Sequence, residues 1–157
     1  MRKKVVIGFA AALAGVLLLG IAGRNRHRDD PPGLRSGVTD DPAVAAVLAR
    51  SCQDCHSDGT RRPWYGYVPP ASWLLDHDIS GARSHMDFSR WGTYSLDDKQ
   101  QILTEIGAVV RNHQMPPGRY LFMHPDARLS DSQASLLYTW AKRERRKVRA
   151  QAKAAQQ

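Results

Sequence analysis

The first pattern along the chain is an uncharged apolar run, Val5–Gly23 (VVIGFAAALAGVLLLGIAG), which follows the basic start MRKK. Its 18 residues from Val5 to Ala22 would span about 27 Å as a helix, close to the hydrocarbon thickness of a bilayer. A cleavable signal usually has a shorter apolar core. Residues 1–23 are therefore predicted to form an uncleaved transmembrane or signal-anchor helix, and Gly20-Ile21-Ala22 offers only a weak cleavage site.

Three amphipathic helices are predicted beyond a linker at residues 24–39, which is rich in Pro, Gly, Asp and Arg. The first begins at Asp41-Pro42, because Asp caps helices and Pro suits the first helical position. The second begins at Ser95, and the third at Ser130, which forms a capping box with Gln133. Apolar residues recur at helical spacing in each: Val44, Val47 and Leu48; Leu96, Ile102, Leu103, Ile106, Val109 and Val110; Leu136, Leu137 and Trp140.

The stretch from Ser57 to Trp91 has many Pro, Gly and Trp residues and no sustained period, so it is predicted to be loop with short helical turns. No alternating strand pattern of useful length occurs in the sequence. The fold class is therefore predicted to be mostly α, with long loops. One domain is expected at residues 40–141, followed by a basic tail at 142–157.

The charge distribution argues against a nucleic-acid function. The net charge is +8 and the pI about 9.9, but the basic residues concentrate at the two ends of the chain. No basic stripe with interleaved aromatic residues crosses the middle. The C-terminal tail is expected to be a solvated helix, although it could also steer an acidic partner or contact anionic lipid.

Candidate chemistry lies in Cys52-Gln53-Asp54-Cys55-His56, which holds the chain's only two cysteines. A disulfide between them would close too small a loop to restrain the unfolded chain much. A zinc site needs more ligands at suitable spacing, and a thioredoxin-like pair should accompany a βαβ pattern that is missing here. The motif CxxCH favours covalent haem c attachment, and a redox or metal-binding thiol pair remains the alternative.

Haem c chemistry gives every residue type in this motif a role. The thiols of Cys52 and Cys55 would form thioethers with the two haem vinyl groups, and His56 would be the proximal iron ligand. One motif predicts one haem per chain. Such attachment takes place on the outer side of the bacterial membrane, which agrees with the predicted anchor.

Met115 is the first candidate for the sixth iron ligand, since it stands in a Met-Pro-Pro loop between the second and third predicted helices. Its ordinary alternative is a core-filling methionine. His77 and His124 are alternative ligands. The aromatic residues Trp64, Tyr65 and Trp73 are expected to pack around the haem. The order of motif, late Met-Pro loop and terminal helix resembles class I cytochromes c.

A wider set of motifs resembles the bacterial haem-binding domain family of small, membrane-anchored c-type cytochrome domains. The resemblance spans about Val44 to Trp140. It rests on the CxxCH motif together with Pro63-Trp64-Tyr65, Pro70, Trp73, His77, Phe88-Ser89-Arg90-Trp91, Met115-Pro116-Pro117, Tyr120, His124-Pro125-Asp126-Ala127, Leu129-Ser130 and Trp140. It implies a helical monohaem domain in the periplasm. The chain has Asp87 where the family pattern would have Asn, which concerns local hydrogen bonding only.

These observations favour an electron carrier over an enzyme: a monohaem cytochrome c at the bacterial inner membrane, single-pass, with its haem domain in the periplasm. If the signal is cleaved, the domain would be free in the periplasm. The expected partners are the membrane and a redox protein of acidic character. The alternatives are a haem enzyme or gas or redox sensor with an open sixth position, and a non-haem CxxC protein.

Overall fold

The computed structural model describes Gly15 and residues 37–157, and these residues are mostly helical. The α-helices are α1 (Pro42–Ser51), α2 (Gln53–His56), α3 (Ala71–His85), α4 (Leu96–Arg111), α5 (Gly118–Met123) and α6 (Asp131–Ala154), and 3-10 turns lie at Trp64–Tyr67, Phe88–Thr93 and Pro125–Ala127. The described part of the chain contains no strand, which confirms the mostly helical fold.

Apart from Gly15, the predicted membrane helix at residues 1–23 lies outside the described residues, as does most of the linker at 24–39. Within the described residues, no helix is both long enough and apolar enough to cross a bilayer. The single-pass anchor therefore stays a prediction.

The core forms where α4 packs along α6, and α1 packs against α6 and adds to the same cluster. Leu137 and Trp140 of α6 and Leu103 of α4 are at most 1% exposed, and α1 adds Val44 and Leu48. Burying large apolar side chains supplies the main driving force for folding. The three predicted helix faces therefore meet as the periodicity indicated.

Local capping fixes where these helices begin. The Asp41 carboxylate accepts hydrogen bonds from the backbone N–H groups of Ala43 and Val44. Ser95 forms a capping box with Asp98, and Ser130 forms one with Gln133. All three predicted helix starts are confirmed. The third helix runs without a break into the basic segment and ends at Ala154.

The prediction of loop structure between Ser57 and Trp91 was wrong for residues 71–85, which form the 15-residue helix α3. Its periodicity is weak because Ile79 is its only buried residue, while Trp73 and Leu74 are exposed. A helix with a polar or exposed surface nearly all round gives little amphipathic signal. α3 packs against α2 and against the 3-10 turn at Trp64–Tyr67, which places it beside the cysteine motif.

Candidate haem site

The CxxCH motif lies at the junction of α1 and α2. Cys52 ends α1, where its backbone N–H donates to the Leu48 carbonyl, and its own carbonyl accepts from the His56 backbone N–H at 3.0 Å. The segment from Gln53 to His56 is thereby folded into one helical turn. Both cysteines are free thiols and half-buried. The turn therefore brings both thiols and the imidazole close together at one end of the core.

The imidazole of His56 is held by backbone from the far end of α3. Its Nδ1 lies 3.0 Å from the Met86 carbonyl oxygen. A carbonyl can only accept, so Nδ1 carries the proton and Nε2 keeps its lone pair. The Phe88 ring meets the imidazole edge-on, with the ring centroids 6.3 Å apart. Burial lowers the pKa of His56, which favours the neutral ring that binds metals.

The two thiols lie in surroundings that favour their protonated form. Burial, followed by the neighbouring Cys55, raises the pKa of Cys52 to about 12. Burial and the carboxylates of Asp54 and Asp78 raise the pKa of Cys55 to about 11. Reactive and metal-binding cysteines usually have lowered pKa values. Moreover, no group of three or more His, Cys, Asp or Glu side chains able to hold a metal ion occurs within residues 37–157.

A half-buried arginine, Arg83, fixes the loop that follows the motif. Arg83 of α3 donates from Nη2 to the Ser57 carbonyl at 2.6 Å and to the Thr60 hydroxyl at 3.0 Å. Its Nε is buried and has no hydrogen-bond partner in the described structure. Arg83 also makes no ion pair there, and it lies close enough to Cys55 to affect that thiol's pKa. A half-buried cation with an unused N–H donor suits an anionic group such as a haem propionate.

A second set of contacts joins the motif to α5. Asp54, an inner residue of the motif, accepts from Arg61 Nε at 3.0 Å and from the Tyr120 hydroxyl at 3.3 Å. Burial, with the nearby Asp54 carboxylate, raises the pKa of Tyr120. The Tyr65 hydroxyl lies 2.5 Å from His124 Nε2, and the Tyr120 ring stacks on His124 at 4.4 Å. Two segments that follow the motif, residues 61–65 and 120–124, are thereby tied to it and to each other.

The region around the motif exposes large apolar side chains. Among residues 37–157, seven such residues are exposed, and they fall within 64–74 and 115–123: Trp64, Tyr67, Trp73, Leu74, Met115, Phe122 and Met123. Phe122 is 85% exposed and Trp73 68%. Exposed apolar surface of this kind usually marks a binding site. Together with two protonated thiols and an imidazole with a free Nε2, it fits a large, flat, apolar iron cofactor.

The predicted sixth ligands occupy different surroundings. Met115 is 41% exposed, in the segment between α4 and α5. His77 is exposed on α3 and makes no hydrogen bond or ion pair with any described residue. His124 is half-buried, and Tyr65 occupies its Nε2. No iron–ligand geometry distinguishes the three residues, so the choice among them stays a prediction.

The predicted packing residues also differ in exposure. Trp64 and Trp73 are mostly exposed, and Tyr65 is half-buried. Sequence reasoning missed the Met86 carbonyl and Arg83. A backbone acceptor leaves no trace in a residue pattern, and α3 itself was not foreseen. Asp87 replaces the expected Asn without loss of local hydrogen bonding, because its carboxylate accepts from the Ser89 backbone N–H at 2.8 Å.

Comparison with known proteins supports the same cofactor. A family model described as the haem-binding domain matches residues 12–143. The chain belongs to the haem-binding domain family. This membership confirms the resemblance that the motifs indicated and supports a haem cofactor.

A curated relative is similar to the same part of the chain. It is the cytochrome c peroxidase Ccp of Escherichia coli (strain K12), 29% identical over 147 residues. The match covers 87% of this haem-binding domain protein but only 32% of the relative. No solved structure matches the chain significantly.

Proposed function

We propose that this haem-binding domain protein is a monohaem c-type cytochrome that carries single electrons. The observation that carries the proposal is the hydrogen bond from His56 Nδ1 to the Met86 carbonyl. The bond leaves the lone pair on Nε2 in a fixed orientation, and the free thiols of Cys55 and Cys52 lie one and four positions before His56 in the sequence. Hydrogen bonding of the second ring nitrogen is the usual way in which a protein orients a metal-binding histidine.

Cys52 and Cys55 are the attachment points in this proposal. Their thiols would hold the haem through two thioether C–S bonds to its vinyl groups, and each thiol hydrogen would move to the other vinyl carbon. The reaction needs reduced thiols, and both cysteines are free. The sequence has one CxxCH motif and no other cysteine, which supports one haem per chain.

Iron ligation is proposed through His56 and Met115. The Met115 thioether is accessible, whereas His124 would have to give up Tyr65 before its Nε2 could bind iron. His77 remains the alternative that needs no such exchange. When bound, haem supplies the one-electron iron couple, and a His–Met ligand pair raises its potential.

The chain's own residues control the environment of that couple. Met86 and Phe88 hold the imidazole in one orientation, and Arg83 places a positive charge near Cys55. The exposed aromatic side chains from residues 64–74 and 115–123 would cover the cofactor and exclude water. Low polarity, hydrogen bonding and nearby charge are the means by which a protein sets a haem potential.

The proposed location is the periplasmic face of the bacterial inner membrane, with residues 1–23 as a single-pass anchor. The MRKK start and the uncharged run at 5–23 support it. If the signal is cleaved, the domain is periplasmic. The net charge of +8 supports an acidic redox partner.

A second candidate is a haem enzyme or sensor whose sixth position stays open. The similarity to a cytochrome c peroxidase favours it. The chain spans 32% of that relative, so peroxidase activity of this chain is a separate proposal. An open sixth position would make the haem high-spin and reactive towards carbon monoxide.

The test is the spectrum of the full chain produced in cells that mature haem c. A haem that remains attached after denaturation, with a low-spin spectrum and a far-red Met–iron band, is the expected result. Met115→Ala should abolish that band, whereas Met123→Ala, a matched change at another exposed methionine, should keep it. A low-spin spectrum without the band would move the sixth ligand to a histidine. A high-spin spectrum would favour the second candidate, and a colourless protein would overturn both.

A further inference from the structure

A groove of about 450 Å³ lies between α4 and α6, apart from the cysteine motif. Residues of α4, together with Asn112 at its end, form one side, and residues of α6 form the other. The lining consists of Leu103, Thr104, Gly107, Ala108, Arg111, Asn112, Tyr138, Lys142 and Arg145. Pockets that bind small molecules usually have volumes of roughly 300–1,000 Å³. The groove is therefore large enough for a lipid headgroup.

The floor of the groove is apolar where Gly107 of α4 faces Tyr138 and Ala141 of α6. A Cβ at that position would lie 3.6 Å from Tyr138 Cδ2 and 3.9 Å from the Ala141 Cβ. Leu103 and Ala108 continue the apolar surface. A ligand in the groove would meet hydrocarbon and an aromatic ring below and polar groups at the rim.

The rim carries three cations and no carboxylate. The Arg111 guanidinium lies over the Tyr138 ring, 5.4 Å from its centroid, and Arg145 donates from Nη1 to the Thr104 hydroxyl at 3.2 Å. Both side chains are thus oriented without a counter-ion. Lys142 is the third cation. None of the three forms an ion pair within residues 37–157.

Arginines near the cysteine motif differ in this respect. Arg61 pairs with Asp54, Arg62 with Asp76 and Arg119 with Asp78. Since acidic partners are common elsewhere on the surface, their absence around the groove is a local property. An array of unpaired guanidinium groups suits phosphate, which accepts the paired N–H donors of Arg.

The cationic surface continues along α6 beyond the groove. Lys142, Arg145, Arg149 and Lys153 follow at intervals of three or four residues, so they lie on one side of the helix, and all four are exposed. The stripe extends over about 17 Å of helix. A stripe of this length with a headgroup-sized groove at one end suits an extended anionic surface better than a single small anion.

We propose that the α4–α6 groove binds the phosphate of an anionic phospholipid and lays the C-terminal half of α6 along the membrane surface. Arg111 and Arg145 bind the phosphate, Lys142 adds a charge contact, and Arg149 and Lys153 contact neighbouring headgroups. The apolar floor receives the glycerol end of the lipid. This site is independent of the proposed electron transfer, because its residues lie outside the cysteine motif.

The test uses the full haem-loaded chain in lipid nanodiscs made of phosphatidylcholine alone or mixed with phosphatidylglycerol. Backbone amide hydrogen exchange is measured by mass spectrometry in residues 104–112 and 142–153. Exchange should slow several-fold only in the discs that contain phosphatidylglycerol. Equal exchange in both kinds of disc would overturn the proposal.

Charge variants distinguish the groove from diffuse attraction. Lys142→Gln with Arg145→Gln should lose the protection, whereas Arg90→Gln with Arg128→Gln, which removes the same charge elsewhere on the surface, should keep it. Arg111→Lys with Arg145→Lys should lose most of it, since Lys keeps the charge but lacks the paired donors. Equal losses of protection in the two Gln pairs, or no loss of protection in the Lys pair, would show that net charge alone explains the effect. Either result would overturn the proposed lipid site in the groove. Unchanged exchange in α1 serves as the folding control.

Soluble competitors identify the source of the phosphate. Inorganic phosphate added to phosphatidylcholine discs, at the phosphorus concentration of the lipid, should give no protection. Protection at that concentration would assign the groove to a free phosphate and overturn the lipid assignment. Protection by polyglutamate would assign it to an acidic protein partner, which also contradicts the proposal.

Discussion

The half of the domain built on α4 and α6 differs from the half around the cysteine motif in how its apolar residues are covered. In the first, Leu137 and Trp140 are at most 1% exposed. In the second, Trp73 is 68% exposed and Phe122 85%. One half buries its large side chains against the chain itself, and the other leaves them uncovered.

This difference shows which half of the domain buries its apolar side chains without help from a cofactor. The α4–α6 half is a closed core of the kind that stabilises any small helical protein. The half around the cysteine motif is well hydrogen-bonded, since Arg83 donates to the loop and His56 donates to the Met86 carbonyl. Its large apolar side chains, however, are not covered by other parts of the described chain. A large apolar cofactor would supply the missing contacts.

The largest effect is expected from the cysteines. Replacing both Cys52 and Cys55 with Ser should abolish covalent haem attachment, because no other thiol exists in the chain. Each single replacement should leave one thioether and a shifted haem band. The measurement is haem staining and mass spectrometry of the denatured protein. Haem that stays attached to the double variant would contradict this account of the motif half.

Side-chain truncation should destabilise the protein much more in the α4–α6 half than in the half around the cysteine motif. Leu137→Ala should lower the free energy of unfolding by about 2–5 kcal/mol, since it leaves a cavity in a closed core. Phe122→Ala should change the free energy of unfolding of the haem-free protein by less than about 0.5 kcal/mol. It should lower the free energy of unfolding of the haem-loaded form by more. Denaturant titration of both forms measures this. An equal cost of Phe122→Ala in the two forms would show that Phe122 does not contact the cofactor.

Loss of the proposed sixth ligand should change the midpoint potential. Met115→Ala should lower it by a fraction of the roughly 0.8 V range that axial ligands span, because the thioether favours the reduced iron. Redox titration followed at the α-band checks this, with Met123→Ala as the control. An unchanged potential in Met115→Ala would remove Met115 from the iron.

Removing the unpaired positive charge beside the motif should have the smallest effect. Arg83→Gln should lower the midpoint potential, since a nearby cation favours the less positive, reduced state. An interaction of about 1 kcal/mol corresponds to roughly 40 mV for one electron. Arg90→Gln, at an exposed position in the next element, should leave the potential unchanged. A rise in the Arg83→Gln potential would contradict the electrostatic role.

Sequence alone predicted the half of the fold whose signals are local. The Asp41, Ser95 and Ser130 caps and the apolar periodicity of α4 and α6 carry those helices without reference to tertiary structure. The cysteine motif and its family could also be recognised, because both are specific in residue type and spacing. The chemistry of Cys52, Cys55 and His56 followed from that recognition.

Helix α3 and the contacts it makes could not be predicted in the same way. Its exposed Trp73 and Leu74 obscure the helical period, since they do not face the core. The acceptor for His56 is a carbonyl at the far end of that helix, 30 positions along the chain. Tertiary hydrogen bonds to backbone depend on the path of the chain and not on residue identity.

The bond from His56 to the Met86 carbonyl also has a genetic consequence. Every amino acid carries the same carbonyl, so no codon change at position 86 can delete the acceptor. Only changes that move the backbone at the end of α3 can disturb it, and those must alter the length or the packing of the helix. The orientation of the imidazole is therefore insensitive to a point mutation at position 86. It is sensitive to insertions and deletions within residues 71–85.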